Sequence, residues 1–397
     1  MFKLFKILLC AVLGALIVSG CAQPTEPVQE TTTETTTAPA TIPAKPAATI
    51  DTAAQVRRYD FLSIKQKTGE ITDAFDSYVS ERRFKGAVYM KLGNDFEYIS
   101  TTGSSDTVSH KNNSIDTRFY IGSLTTQMTA AAVMSLVDKE KLSLQDTLHS
   151  FFPDYAYGDD ITVEHLLNMT SGIPNYIVRS DISDMSASIT IGILDKISED
   201  NDAKENKSVI LDWILAQKPR FEAGSAFESS DSNYFLLGEI IAKASGESFE
   251  DYIKDTIFKP LKMNATSFER DDALAVPYDG SEEGEKLCYP GVGYAACGLI
   301  SNISDLLKWT DGIFYDKILS DESINTMRSA GTFGYSCGMV ISGDRLTASG
   351  RCGAYSSLLS YTTDRSEIFI ALSNYNYSDP SYLRGLFRRY LSKFSAK

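Results

Sequence analysis

Residues 121–130 have the sequence IGSLTTQMTA, and this stretch decides how the rest of the chain is interpreted. Ser123 is followed by apolar residues at helical spacing as far as Val137, which predicts a helix that begins near Ser123. Positions i and i+3 share a helix face, so the side chain at position 126 lies beside the Ser123 hydroxyl. That residue is Thr126, whose neutral hydroxyl cannot take the proton of a serine at neutral pH, and the next lysine is Lys139. Ser123 is therefore either a nucleophile without a base or a helix N-cap.

The N-terminal residues have the composition of a targeting segment. Lys3 and Lys6 precede an apolar run at residues 7–18, which is too short to span a membrane and is typical of a signal peptide. Residues 18–21 are Val-Ser-Gly-Cys, which resembles a bacterial lipobox. We predict a signal peptide at residues 1–20 and a lipidated Cys21 that anchors an extracytoplasmic protein to a bacterial membrane. The alternative is an ordinary secretory signal with an incidental cysteine.

The composition separates a linker from a globular domain. Residues 22–54 are rich in Thr, Pro and Ala and cannot bury a core, so residues 21–55 are predicted to be a lipidated, disordered tether. Residues 56–397 are predicted to form one domain. The net charge of −14 argues against nucleic acid as a partner. Neither the cysteines nor the three histidines have metal-ligand spacing, and we predict no metal and no cofactor.

Four cysteines fall in the predicted domain, and in an exported protein they could form disulfides. Cys337 and Cys352 flank the turn sequence Ser-Gly-Asp at residues 342–344, so they could face each other across two strands. We expect a bridge between these two, with buried free thiols as the alternative.

Strand patterns occur towards both ends of the chain, with helical patterns between them. Strands are predicted at residues 86–92, 96–102, 334–341, 345–349, 356–362 and 366–372. Helices are predicted from residue 161 and at residues 209–217, 233–245, 249–257 and 380–394, and residues 181–206 are predicted to form an irregular insertion or lid. This order predicts an α/β fold of the α+β type, with an antiparallel sheet closed by both chain ends, flanking helices and a helical subdomain.

Several segments together resemble the serine β-lactamase and D-alanyl-D-alanine peptidase superfamily, in particular its class C and esterase-like branch. The resemblance extends from Gly86 to Leu372 and implies a β-lactamase/transpeptidase-like fold. The segments that carry it are TRFYIGS at 117–123, LLNMTSGI at 166–173, SNYFLLG at 232–238, IFKPLKM at 257–263 and GLIS at 298–301.

The catalytic motifs of that superfamily are degenerate here. Its nucleophile falls on Ser123, but its lysine falls on Thr126. Its Tyr-x-Asn motif falls on Ser229-Ser230-Asp231, and its third motif, a cation followed by Thr or Ser and Gly, falls on Ala348-Ser349-Gly350. The histidine before its Thr-Ser-Gly turn is Met169. The resemblance therefore implies a nucleophile position without its lysine, its tyrosine or its third-motif cation.

Two other residues could replace the missing groups. Asp231 could act as a carboxylate base, and Arg351, next to Ser349 and Gly350 in the expected substrate-binding strand, could bind a ligand carboxylate. The alternatives are an N-cap role for Asp231 and a solvated surface position for Arg351. The resemblance also implies an oxyanion hole formed by the backbone N–H of Ser123 and one near Arg351.

Three functions are compatible with these residues. We predict a membrane-anchored lipoprotein whose β-lactamase-related domain is catalytically impaired and binds a peptidoglycan peptide or a related small acyl ligand. The alternative is a serine hydrolase of the esterase or peptidase type, with machinery rebuilt around Ser123. In the third hypothesis the cleft is vestigial, and the function lies in residues 181–206 or elsewhere on the surface.

Overall fold

The computed structural model describes residues 69, 72–73, 75–79, 84–94, 96–179, 187–189, 193, 195–278, 285–315 and 318–394. The predicted signal peptide, Cys21, the tether and much of the predicted insertion lie outside these residues. The strands are β1 (Gly86–Leu92), β2 (Phe96–Thr102), β3 (Ser104–Asp106), β4 (Lys111–Asn112), β5 (Phe119–Tyr120), β6 (Ile177–Arg179), β7 (Ala187–Ile189), β8 (Ile300–Ser301), β9 (Tyr335–Ser336), β10 (Met339–Ser342), β11 (Arg345–Cys352), β12 (Tyr355–Thr362) and β13 (Glu367–Ser373).

A seven-stranded antiparallel sheet organises the domain, with the strand order β2-β1-β13-β12-β11-β10-β9. β1 pairs with β13 along its whole length, from Gly86 opposite Ser373 to Leu92 opposite Glu367. The two ends of the chain therefore close one sheet, which confirms the predicted α/β architecture. Every residue of β12 and β13 is buried. Both faces of these central strands are therefore covered by other parts of the domain.

The helices are α1 (Thr125–Asp138), α2 (Val163–Leu167), α3 (Ala203–Leu215), α4 (Asp231–Ser245), α5 (Phe249–Ile253), α6 (Tyr294–Cys297), α7 (Ile303–Gly312), α8 (Asp321–Arg328) and α9 (Pro380–Phe394). α3 begins earlier than predicted because Asp202 and Glu205 form a capping box, in which each side chain accepts a hydrogen bond from the other residue's backbone N–H. Among the described residues, no helix is both long and apolar enough to cross a membrane.

α1 is buried on all sides from Thr125 to Leu136, whereas the sequence pattern predicted one apolar face. Its polar side chains are accommodated by specific hydrogen bonds. Thr129 donates to the carbonyl of Ala295 at 2.7 Å, and Gln127 Oε1 accepts from Trp309 Nε1 at 2.7 Å. Buried polar groups need such partners. α1 is thus the fixed central element on which the candidate site is built.

The predicted strand at residues 334–341 is divided into β9 and β10 by a tight turn. Cys337 and Gly338 both have positive φ values, 50° and 84°. A Cβ added to Gly338 would lie 2.4 Å from the backbone nitrogen of Gln127 and 2.6 Å from Thr126 Oγ1. Glycine is required because the turn contacts the backbone of α1 directly. The division of the strand brings this turn against the first turn of α1.

Candidate functional site

Ser123 lies in a 3-10 turn, Gly122–Leu124, that leads directly into α1. Its side chain is partly buried. The turn is in backbone contact with β11. A Cβ added to Gly122 would lie 2.4 Å from the backbone nitrogen of Arg351, and one added to Gly350 would lie 2.6 Å from the backbone nitrogen of Ser123. The two glycines therefore bring together the backbone amides of Ser123 and Arg351, the pair in the predicted oxyanion hole.

Thr126 is the residue on which the superfamily lysine is predicted to fall. It is 1% exposed, and its hydroxyl donates to the carbonyl of Ser123 at 2.7 Å. The carbonyl of Gly338 is a second acceptor at 3.3 Å. The hydroxyl proton is therefore directed at the backbone, and the turn between β9 and β10 covers the side chain. The space beside Ser123 that a lysine amine would require is closed.

Tyr335 on β9 is part of this site, although the sequence analysis did not identify it. Its phenol contacts the side chains of Thr126 and Tyr234. Burial raises the pKa of Tyr335, and the nearby Asp231 carboxylate raises it further. The pKa of Tyr234 is also raised by burial, and its hydroxyl donates to the carbonyl of Leu167 at 3.0 Å. Neutral hydroxyl groups thus surround Thr126.

The second motif lies at the start of α4. Ser229 is exposed, whereas Ser230 and Asp231 are buried. Ser230 occupies the N-cap position, so Asp231 is the first helical residue and not the N-cap. Asp231 and Asn175 form two reciprocal hydrogen bonds of 3.0 Å, from Asn175 Nδ2 to Asp231 Oδ2 and from the Asp231 N–H to Asn175 Oδ1. Asn175, which the sequence analysis did not identify, fixes the carboxylate. A carboxylate in the first helical turn also interacts favourably with the helix dipole.

The third motif lies on β11, where successive side chains point to opposite sheet faces. Ala348 is buried and carries no cation, and Ser349 is exposed. Gly350 is on the face that contacts the Ser123 turn. Arg351 is only 7% exposed, so it is not a solvated surface arginine. Its Nη1 donates to the carbonyl and the side-chain oxygen of Asn376, at 3.2 and 3.0 Å. Its backbone, rather than its guanidinium, adjoins the turn of Ser123.

The predicted bridge between Cys337 and Cys352 is wrong. Cys337 lies in the turn between β9 and β10, where it accepts a hydrogen bond from Ser336 Oγ. Cys352 lies at the end of β11, and its Sγ is 3.0 Å from that of Cys288. All four cysteines of the domain are buried free thiols. Within the described part of the chain, no group of three or more His, Cys, Asp or Glu side chains could hold a metal ion.

Comparison with known proteins assigns the domain. A family model described as Beta-lactamase matches residues 71–390. The putative penicillin-binding protein PbpX of Bacillus subtilis (strain 168) is 27% identical over 318 residues, which cover 78% of this chain and 75% of that protein. The octameric penicillin-binding protein homologue from Pyrococcus abyssi has a TM-score of 0.65 at 26% identity, covering 82% of this chain and 77% of that chain.

A penicillin-binding protein from Bacillus halodurans has a TM-score of 0.67 at 18% identity and covers 80% of this chain and 98% of that chain. At this identity the likeness concerns the fold alone. These matches agree with the antiparallel sheet and helical subdomain described above, and the class C branch stays a prediction. The chain belongs to the β-lactamase family, within the β-lactamase/transpeptidase-like superfamily.

Proposed function

We propose that this chain is an exported lipoprotein whose β-lactamase-related domain binds a peptide-like acyl ligand without efficient turnover. The observation that carries the proposal is the environment of Thr126. Its hydroxyl donates to the carbonyl of Ser123, and the backbone of Gly338 closes over it. A nucleophilic serine needs a base within hydrogen-bond reach, and a buried hydroxyl that donates to the backbone is not one.

The neighbouring groups support the loss of catalysis. Tyr335 is the side chain that comes closest in character to the missing motif tyrosine, but its pKa is raised, so the phenol is neutral at physiological pH. The Asp231 carboxylate is paired with Asn175. Without general-base assistance a reaction of this type typically slows by about 10²–10⁴-fold. A loss of this size impairs turnover, whereas ligand binding does not depend on a general base.

The groups that remain suit recognition of a carbonyl. The backbone amides of Ser123 and Arg351 are hydrogen-bond donors held by the contact between the Ser123 turn and β11. The exposed Ser229, two residues before Asp231 at the start of α4, adds a hydroxyl group that can donate or accept a hydrogen bond. The superfamily resemblance and the penicillin-binding names of the relatives favour a peptidoglycan stem peptide or a related acyl compound as the ligand.

The location of the protein is part of the proposal. The basic residues Lys3 and Lys6, the apolar run and Cys21 support export and lipid anchoring, and the Thr- and Pro-rich segment supports a tether between membrane and domain. With about 30 flexible residues such a tether spans on the order of 30 Å. A ligand in the cell envelope lies within that distance.

The experiment uses the full chain in detergent and a synthetic stem peptide ending in D-alanyl-D-alanine. We expect the peptide to raise the unfolding temperature, because a ligand that binds only the folded state stabilises it. Mass spectrometry of the incubated peptide should show it intact. Gly350→Ala is the control, and the peptide should not raise its unfolding temperature, because the added Cβ would lie 2.6 Å from the backbone nitrogen of Ser123.

Two other outcomes contradict the proposal. Cleavage of the peptide that disappears in Ser123→Ala favours the alternative, a serine hydrolase rebuilt around Ser123. The absence of both a shift and cleavage favours the third hypothesis, in which the cleft is vestigial.

A further inference from the structure

Three of the buried thiols meet at the end of β11. Cys352 ends β11, Cys297 ends α6, and Cys288 ends a short 3-10 turn, Lys286–Cys288. The sulfur atoms of Cys288 and Cys352 are 3.0 Å apart, and the Cys297 thiol also contacts that of Cys352. Cys288 and Cys297 are near each other in sequence, whereas Cys352 follows Cys288 by 64 residues, so the fold brings Cys352 to the other two.

The separation of the two sulfurs is close to that of a covalent bond. Bonded sulfur atoms lie about 2.05 Å apart, so closure requires a movement of about 1 Å. The carbonyl of Cys288 is held by the hydroxyl of Tyr120 at 3.1 Å and by the guanidinium of Arg270. These bonds keep Cys288 against the end of β11, so little reorganisation precedes bond formation.

Access to the pair is unequal. Cys288 lines a cavity of about 350 Å³, together with Tyr120, Arg270, Gly353 and Tyr355. It is 9% exposed, whereas Cys352 and Cys297 are completely buried. A disulfide reagent that enters the cavity therefore meets Cys288 first. Burial also raises the pKa of the Cys352 thiol, so Cys352 reacts poorly with reagents in solution and depends on its nearness to Cys288 Sγ.

We propose that Cys288 and Cys352 form a reversible redox dithiol. The Cys288 thiolate attacks one sulfur of an external disulfide, either a small molecule or a disulfide-bonded protein, and releases one thiol. Cys352 then attacks Cys288 Sγ, forms the intramolecular disulfide and releases the second thiol. The two protons of the cysteines pass to the two departing thiolates, and the external disulfide is reduced as the cysteines are oxidised.

The consequence for the cleft rests on the proposed function. Cys352 directly follows Arg351, whose backbone nitrogen lies against Gly122 in the Ser123 turn. A disulfide ties the end of β11 to the segment at Cys288 and so restrains one of the two amides proposed to bind the ligand. Oxidation is expected to change the affinity for the stem peptide. Peptide binding and disulfide formation are measured in separate experiments.

The test is disulfide mapping on the full chain in detergent, which needs no ligand. The reduced protein is treated with oxidised glutathione, alkylated with N-ethylmaleimide under denaturing conditions, and digested for mass spectrometry. We expect a peptide linked through Cys288 and Cys352, which reverts on reduction. The linked peptide should persist in Cys337→Ser, the matched buried thiol outside the cluster, and in Cys297→Ser.

The result that overturns the proposal can be read on the wild-type chain, so it does not depend on the folding of a variant. If Cys288 and Cys352 are both found alkylated after oxidation, they have not formed a disulfide, and the proposal is contradicted. A link from either of them to Cys297, or glutathione retained on Cys288 without closure, contradicts it as well. Failure of the proposed ligand binding leaves these linkage results unchanged.

Discussion

Restoring the superfamily lysine by Thr126→Lys should destabilise this protein without restoring activity. Thr126 is 1% exposed, and the Gly338 turn is packed directly on it. Forcing a longer side chain into a packed site costs about 1–3 kcal/mol. Loss of the hydrogen bond from the threonine to the carbonyl of Ser123 adds about 1 kcal/mol. New hydrogen bonds from the ammonium to the carbonyls of Ser123 and Gly338 offset part of its desolvation.

The free energy of unfolding of Thr126→Lys should therefore fall by about 2–4 kcal/mol. Urea unfolding followed by tyrosine and tryptophan fluorescence measures the change, with nitrocefin hydrolysis measured in parallel. Thr126→Val is the matched control, since it keeps the shape and removes the hydrogen bond, and it should lose about 1–2 kcal/mol. The reasoning is refuted by a Thr126→Lys protein that is as stable as wild type and hydrolyses nitrocefin, because the space for the lysine would then be open.

Three further predictions concern the same framework. Gly350→Ala should lower the unfolding temperature, because its Cβ would lie 2.2 Å from the carbonyl oxygen of Ile121. The control is Gly385→Ala, in the open interior of α9, which should stabilise the protein by up to about 1 kcal/mol. Equal effects of the two substitutions contradict the close contact at Gly350. Arg345→Ala should cost about 3–5 kcal/mol in urea unfolding, because it leaves the completely buried Glu367 without its ion pair; a change below about 1 kcal/mol contradicts it. The folded-state pKa of Tyr335 is raised above its unfolded value of about 10, so its contribution to stability is complete below that pH and is lost as the pH rises. Tyr335→Phe should therefore lose less stability than wild type as the pH rises above about 10 in thermal unfolding, and equal losses contradict the assignment.

The first two strands of the sheet and the last helix could be predicted from the sequence because their signals are local. The bounds of β1, β2 and α9 agree with the predictions, since alternation and amphipathic spacing depend only on neighbouring residues. The division of β9 from β10 could not be predicted. It requires a positive φ at Cys337, a non-glycine residue, and contact between Gly338 and α1 stabilises that conformation. Such a contact joins segments that are far apart in sequence.

The candidate site shows the same limit. The motif positions Ser123, Thr126 and Asp231 were found from spacing and resemblance, whereas Tyr335 and Asn175 reach the site only through the tertiary fold. No pattern around either residue indicates a role in the site. In the structure, Thr126 and the Gly338 turn occupy the space beside Ser123 in which the superfamily lysine is predicted to fall.

The cysteine prediction failed for a related reason. It assumed that β10 and β11 continue as a regular pair as far as Cys337 and Cys352. The pairing instead ends at Val340 opposite Thr347, because the chain turns at Gly338 to form β9. The end of β11 is then free to contact the segment at Cys288, which comes from the helical side of the domain. Sequence spacing cannot show such a pairing.

Covalent labelling of the full chain shows whether Ser123 is activated as a nucleophile. The protein is incubated with a fluorescent penicillin and, separately, with a fluorophosphonate, and its intact mass is measured beside that of Ser123→Ala. We expect that neither reagent labels the wild-type protein above the variant. An adduct that forms on the wild type and is absent from Ser123→Ala contradicts the account and shows that a base, with Asp231 as the first to be replaced, activates the serine.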